Sequence, residues 1–398
     1  MATTSTFQTT RSIGLLLFAT MAGMSLWFMG AAVIPDMARE AGLEDGQLAL
    51  LSSVVPAGFA LGAMGFAISG VPDRFDPRHV FAVCATVTAV LNAIFIFVPI
   101  GTPAAGIIRF LSGIAMAGTW PLSMKIAVGW SVTRRGTLMG TLVGALVIGQ
   151  AAPYLMAWIG GTDWRLALWM GSGLALLGAA AALLTQLGPH HVRAARFDSR
   201  ALYVAWQMPQ LRRAILGYLC HMWEFIAFWS WVGVFAAISF SASMPEEDAQ
   251  ALGKLAAFLC IIAAAPACAL GGVLADRIGK AHVAATALIL SGTAALLTAL
   301  TFGGPVWITF ALLILWGAAV VPDSPQFSAI VADYAPAEIA GSVLTLQASL
   351  GFLLTALTVQ IAPSIAAIAG WPAVMVLLAM GPVAGVWVSA PLRRAERA

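Results

Sequence analysis

Residues 271–283 read GGVLADRIGKAHV, and residues 69–80 read SGVPDRFDPRHV. Each segment follows a long apolar run and sets Asp-Arg ahead of another basic residue. Asp73 and Asp276 stand 203 positions apart in a chain of 398 residues. A second echo supports the first. WPLSMKIAVGW (120–130) and VPDSPQFSAIVADY (321–334) carry proline at matching places in their own apolar runs. Two copies of one unit, repeated about half a chain apart, are a common design among membrane carriers.

Composition says what the unit is made of. The chain is 61% hydrophobic and 9% charged, whereas a soluble domain carries about 25% charged residues. So much apolar surface has no place in a water-soluble core of this size, so lipid must solvate the outer helix faces. A spanning helix needs about 20 mostly apolar residues. Such runs fall at 12–35, 47–70, 79–100, 104–129, 136–160, 164–187, 212–240, 250–272, 281–301, 305–331, 341–363 and 370–390. The one long polar stretch, 187–213, divides these twelve into six and six. The expected architecture is an all-α polytopic membrane protein with two six-helix bundles related by a pseudo-two-fold axis. Residues 1–187 form the first bundle, 188–211 a cytoplasmic linker, and 212–398 the second bundle.

Arginine and lysine set the orientation. With the N-terminus inside, the cytoplasmic segments hold 15 basic residues, among them Arg11, Arg134, Arg135, Arg193, Arg196, Arg200, Arg212, Arg213, Arg393, Arg394 and Arg397. The outer segments hold only Arg39, Arg165 and Lys254. Both termini are therefore expected in the cytoplasm, in a cell inner membrane. The first apolar run lacks an A-x-A-type cleavage site and is long enough to span, so it is expected to be retained. Cys84, Cys220, Cys260 and Cys268 lie in apolar runs and suggest neither a disulfide framework nor a metal site. The net charge of +3 comes from dispersed residues and gives no nucleic-acid surface. No P-loop occurs. No cofactor, metal or enzymatic activity is expected, and a monomer is.

These features resemble the major facilitator superfamily over essentially the whole chain. The most specific piece matches that family's G-x-x-x-D-R-x-G-[RK] as Gly272, Asp276, Arg277, Gly279 and Lys280. The copy at 69–80 keeps Asp73 and Arg74 but places Ser69 and Asp76 where glycines belong, with Arg78 late. Arg109 and Gly113 match an R-x-x-x-G pattern of the fourth helix. In the fifth helix Gly149 is followed by Gln150, and proline comes only at Pro153; the Gly-Pro step of the family's antiporters is absent. The stretch HMWE, 221–224, resembles a branch grouped with nitrate/nitrite and cyanate permeases. Nitrate carriers there use arginines in helices 2 and 8, and this chain has none in those runs, so nitrate itself is not expected.

The resemblance implies that the Asp-Arg segments are cytoplasmic gate loops that close through charge pairs. Asp73, Arg74, Arg78, Asp276, Arg277 and Lys280 are the candidates. His221 and Glu224, three residues apart, share a helix face. Glu224 lies about 16 Å along the axis from Arg213 at ~1.5 Å per residue, near the bilayer midplane. An ionised carboxylate there costs at least ~2.5–3.5 kcal/mol. Such a group faces a cavity, finds a partner or takes up a proton, and His221 with Glu224 suit proton coupling. The bland alternative is a polar clamp in which the two bond to each other. Arg109 and Lys125 suit the attraction of an anion, although Lys125 can instead snorkel to the interface. Asp323, between Pro322 and Pro325, marks a helix broken at cavity depth, with Gln326 on the same turn. Trp27, Trp120, Gln150 and Trp231 complete the candidate substrate contacts. Gly136, Gly140 and Gly144 suit close helix packing.

The expectation is a secondary transporter that moves a small organic anion by proton-coupled symport with alternating access. The alternative is a proton-driven multidrug efflux antiporter. A membrane receptor is disfavoured, since no signalling domain or long tail is present.

Overall fold

The computed structural model describes residues 6–42, 45–130, 135–161, 163–190, 198–336 and 339–396. Span 1 is two helices, α1 (Thr6–Met24) and α2 (Met29–Ala41). Span 2 is α3 (Asp45–Ser69), followed by the single turn α4 (Val71–Arg74), and span 3 is α5 (Pro77–Phe95). Span 4 is divided into α6 (Pro103–Met116) and α7 (Trp120–Val128). Spans 5 and 6 are α8 (Arg135–Gly160) and α9 (Trp164–Leu184). A short helix in the connecting stretch, α10 (Arg200–Gln207), precedes span 7, α11 (Pro209–Phe240), span 8, α12 (Glu246–Ile278), and span 9, α13 (Lys280–Leu300). Span 10 is α14 (Val306–Ala319) with α15 (Asp323–Tyr334), and spans 11 and 12 are α16 (Ala340–Ala369) and α17 (Trp371–Glu396). The end of the molecule that carries both termini is called here the near face, and the opposite end the far face.

Ten of the twelve spans are long and apolar enough to cross a bilayer by length and composition alone. The other two, spans 1 and 4, are interrupted midway. At residues 25–28 the backbone tightens to i→i−3 bonds such as Trp27 N–H to the Met24 carbonyl (3.2 Å). At residues 117–119 the same occurs, with Thr119 N–H bonded to the Met116 carbonyl (3.0 Å). Span 10 breaks at residues 320–322, as its prolines predict. Both α7 and α15 resume with a proline in the first turn, Pro121 and Pro325, where no intrahelical donor is required. Span 7 alone among these related positions runs unbroken, for 32 residues.

The six helices of each half pack mainly against one another. The halves meet where α3 lies along α16 and where α8 lies along α12, and at the far end α2 touches α11. The inner pieces α7 and α15 pack chiefly within their own halves. Close approach depends on particular glycines. A Cβ on Gly113 would collide with the Val55 carbonyl of α3, and one on Gly149 with the Met21 carbonyl of α1. The expected packing role of the G-x-x-x-G run is not realised at Gly144, where a Cβ would meet nothing within 4 Å; the surroundings of Gly136 and Gly140 lie outside the described residues.

The repeated Asp-Arg segments are not the loops their composition suggests. The second copy is helical almost throughout, because α12 continues to Ile278 and α13 starts at Lys280. Gly279 alone makes the turn, at φ 99° and ψ 146°, a backbone region reached at low cost only by glycine. Glu396 closes the exposed N-terminus of α13. It accepts from Ala281 N–H at 2.7 Å and lies 3.0 Å from His282 Nδ1. In the first copy Asp76 takes the place of Gly279 and acts instead as the cap of α5, accepting from Arg78 N–H at 2.9 Å. The family glycine is thus replaced by a cap, and the turn is moved to Gly70 at φ 65°.

This assigns different sensitivities to two glycines of one motif. Gly279→Ala is expected to destabilise the folded protein by about 1–3 kcal/mol, the cost of holding a side chain in that region. Gly272→Ala, in a helix with open space around it, is expected to leave the midpoint unchanged or slightly raised. Thermal unfolding in detergent checks both, and equal midpoints for the two variants would contradict the strain argument.

Candidate functional site

Arg109 lies six residues into α6 and is 2% exposed. Its guanidinium makes no hydrogen bond or ion pair with any described residue, and its Nε is buried without a partner. The Phe95 ring, 5.8 Å from Cζ, offers a weak cation–π contact. Gly30 of α2 makes room for it, since a Cβ there would lie 2.9 Å from Arg109 Nη2. The guanidinium borders a void of about 10 Å³, lined also by Trp27, Phe28, Ala31, Ser52, Pro56, Ile226 and Ser230, room for about one water molecule. Spans 1, 2, 4 and 7 all contribute, so the void sits between the two bundles. The break in span 1 places Trp27 and Phe28 there. Ser52 Oγ, like Arg109 Nε, is buried without a partner. An unmatched guanidinium is costly in a dry interior, and this one faces a void beside a hydroxyl that is also without a partner.

The void is closed on both sides. Toward the near face, Trp27 meets Phe59 (4.9 Å between ring centroids) and Phe352 (5.4 Å), an aromatic cluster that joins the bundles. Toward the far face, Ala31 also lines a second void of about 10 Å³, shared with Tyr154, Gly233, Gln250 and Lys254. There Lys254 Nζ donates to Asp36 Oδ2 (2.7 Å), to the Gly161 carbonyl (2.7 Å) and to the Ala157 carbonyl (3.2 Å). Asp36 is also bonded by Arg39. Ser53 and Gln360 form a further bond between the bundles (2.6 Å), and the Tyr154 hydroxyl donates to the Trp229 carbonyl.

The acidic and imidazole groups of span 7 are not paired as the sequence suggests. His221 and Glu224 share a stretch of helix but face different neighbours. His221 Nδ1 lies 2.8 Å from Asp323 Oδ1, at ion-pair distance although not aligned for a hydrogen bond, and the ring stacks on Phe225 at 5.0 Å. Glu224 accepts from Trp316 Nε1 (2.5 Å) and from the Ser291 hydroxyl (3.1 Å). Its neighbours belong to spans 9 and 10, so Glu224 points into the C-terminal bundle and away from the Arg109 void. A run of rings nevertheless connects the two regions. Phe225 contacts Trp229 at 4.6 Å, and Trp229 contacts Phe28 at 5.8 Å.

The remaining candidates scatter. Lys125 is half-buried in the last turn of α7, sixteen positions beyond Arg109, or roughly 24 Å along the span. The two cations do not share one site. Trp231 donates to the Val359 carbonyl (3.0 Å) and packs near Trp371, inside the C-terminal bundle. Trp120 begins α7, half-buried. Gln150 and Gln326 are buried in α8 and α15, outside the lining of the Arg109 void.

The expected inner-gate charge pairs also differ. Asp276, Arg277 and Arg74 are exposed and form no pair among the described residues, while the side chain of Asp73 lies outside them. Lys280 pairs with Asp333 (2.5 Å) within the C-terminal bundle. Arg78 pairs with Asp76 (2.6 Å), whose carboxyl it holds below the usual carboxylate range, and donates to the Thr185 carbonyl (2.9 Å) within the N-terminal bundle. Among the described residues, the ion pair that crosses between the bundles is at the far face instead. Sequence reasoning missed Asp36 and Lys254 as a pair. The available signal was a lysine eight residues into an apolar helix and an aspartate late in another.

Comparison with known proteins agrees with this architecture. The model of the Major Facilitator Superfamily matches residues 15–357, from span 1 into span 11. The solved nucleoside transporter NupG superposes with a TM-score of 0.74 at 15% identity, covering 96% of this chain and 99% of that one. A bacterial homolog of the human lysosomal transporter Spinster, inward-facing and unoccupied, gives 0.72 at 14% identity, with 98% of each chain covered. At such identities the likeness is one of fold. No curated protein matches by sequence, and the family match does not extend to the nitrate and cyanate branch. With its repeated halves, its broken spans and a family match that runs from the first span into the eleventh, the chain belongs to the major facilitator superfamily of membrane transporters.

Proposed function

We propose that the protein is a proton-coupled symporter for a small anion, acting as a monomer in the cytoplasmic membrane with the near face inside. The observation that carries this reading is the buried Arg109 guanidinium, unmatched by any described residue and bordering a void between the two bundles. An anion supplies the missing charge. Ser52 and Ser230 offer hydroxyls beside it, and Trp27 an apolar wall. A fixed cation repels a cationic drug, which weighs against the efflux alternative. The void is small because the bundles are closed around it. A substrate enters as they rock apart, with the Trp27–Phe59–Phe352 cluster parting toward the near side and the Lys254 contacts toward the far side.

The proton belongs to the C-terminal bundle. Glu224 is held by two neutral donors, Trp316 and Ser291, and pairs with no cation among the described residues. A bound proton is then the group that neutralises it when the bundle is closed. His221, one turn earlier on the same helix, forms a second ionisable pair with Asp323 of α15. The rings of Phe225 and Trp229 lie between that pair and Phe28 at the void. Movement of span 7 on anion binding thereby changes the surroundings of all three groups.

Uptake of radiolabelled monocarboxylates into proteoliposomes under an imposed inward proton gradient tests the reading. Arg109→Gln is expected to lower accumulation at least ~tenfold, because a lost charge-assisted contact costs about 1.5–3 kcal/mol and 1.4 kcal/mol is tenfold. Uptake by Arg109→Gln at the wild-type rate overturns the anion site.

Glu224→Gln keeps an acceptor for Trp316 and is expected to fold normally while its uptake no longer responds to the gradient. Glu224→Leu strands both donors and is expected to lose about 1–3 kcal/mol of stability. A wild-type pH profile in Glu224→Gln, with His221→Ala equally unaffected, removes span 7 from coupling.

A further inference from the structure

Every hydrogen bond that the Lys254 ammonium donates to a described residue reaches into the other bundle. The residue belongs to α12, whereas Asp36 belongs to α2 and the Ala157 and Gly161 carbonyls to the end of span 5. Those carbonyls sit at the negative end of the α8 dipole, which favours a cation. Lys254 is 7% exposed and Asp36 4% exposed. Opening the far face separates the bundles and removes all three acceptors from Lys254 together. Asp36 is not left in the same state, because Arg39 lies one turn away on its own helix and is already bonded to it. The ion pair is therefore asymmetric. When it parts, the carboxylate keeps a cation and the ammonium keeps nothing.

The freed ammonium has a definite location. It lines the void that also holds Tyr154, Gly233, Val234 and Gln250, and Ala31 is common to this void and to that of Arg109. A solute passing from the far face to Arg109 passes Lys254. The acidic residues of the same helix, Glu246, Glu247 and Asp248, lie in its first turn, and Gln250 is bonded back to Glu246 (3.0 Å). None of them contacts Lys254.

We infer that Lys254 is a second anion-binding residue, held shut by Asp36 in the closed state and presented to an incoming anion when the far face opens. This rests on the anion reading of Arg109 and adds to it an outer station and a latch in one group. Closed, Asp36 serves as the resident anion. Open, the substrate anion takes its place beside Lys254 before it moves inward to Arg109.

The test needs no knowledge of the substrate. In a background with the four native cysteines replaced by serine or alanine, Val234→Cys reports on the void from the far side. Two impermeant thiol reagents of similar size are the probes, an anionic sulfonatoethyl and a cationic trimethylammonioethyl methanethiosulfonate, applied to right-side-out vesicles. Asp36→Asn and Lys254→Gln are each expected to raise the labelling rate several-fold over the parent, since either breaks the latch. Unchanged rates in both overturn the latch. The anion station is read from the ratio of anionic to cationic labelling, which is expected to be at least about fivefold higher in Asp36→Asn than in Asp36→Asn/Lys254→Gln. Equal ratios overturn it. Where Asp36→Asn folds poorly, the ratio in Lys254→Gln is compared with that in Lys254→Arg, which keeps the charge and is expected to give the higher value. The two variants compared differ only at Lys254, so the change in ratio reports that residue. A normal ratio with unimpaired uptake in Arg109→Gln refutes the central site and leaves the outer station standing, whereas the reverse refutes the station only.

Discussion

A charge in a medium that cannot solvate it must be matched, neutralised or left waiting for a ligand, and this constraint organises the whole molecule. Five groups in the spans meet it in four ways. Lys254 is fully bonded, but only by groups across the bundle boundary. His221 and Asp323 meet within one bundle. Glu224 is held by neutral donors. Arg109 has no partner among the described residues. The first arrangement depends on the relative position of the bundles, the second and third on span 7 within its own bundle, and the fourth on something not part of the chain. On the proposed reading, conformation, proton and substrate correspond to separate charges rather than to one shared centre.

Backbone geometry explains how the charges reach these places. Spans 1, 4 and 10 break near their middles, and the breaks bring Trp27 and Phe28 to the Arg109 void and Asp323 to His221. Asp323 stands in the first turn of a helix, where the dipole favours its charge. Span 7 occupies the corresponding place in the repeat yet is continuous. A continuous helix moves as a rod, so a shift at Ser230 beside the void is transmitted to His221 and Glu224 on the same helix. The duplicated units have diverged in one of four related spans, the one that carries His221 and Glu224.

Much of this was legible in the sequence, for physical reasons. Hydropathy gives the spans because bilayer thickness sets their length, and Pro322 with Pro325 marks the break in span 10 because proline lacks the donor a helix needs. The limit lies in partners. Three-residue spacing places His221 and Glu224 on nearby faces, but a helix face has several neighbours, and nothing in spacing shows that His221 meets a residue 102 positions later. The Asp-Arg motif resembled a loop because it is charged. It is helical because α12 runs on past the apolar part, and Gly279 needs only one residue to turn the chain. Asp36 and Lys254 escaped notice for the same reason as His221 and Asp323. Each is an ordinary charged residue near a span end until the fold sets it against the other.

The kinds of contact between the bundles bear on how they move. Along α3–α16 and α8–α12 the contact is long and mostly apolar, and such a surface resists separation because parting it exposes hydrocarbon. At the far end the bundles are joined by polar contacts: Lys254 to Asp36 and two carbonyls, Ser53 to Gln360, Tyr154 to the Trp229 carbonyl. A hydrogen bond exchanged for bonds to water changes the free energy by only about 0.5–1.5 kcal/mol. A few such bonds hold a closed state without trapping it, provided water enters as they break. On the proposed cycle the apolar seams act as the pivot and the polar end as the gate. A carrier needs its gate to open within a transport cycle and its halves never to come apart, and the two chemistries divide those demands between the ends and the flanks of one interface.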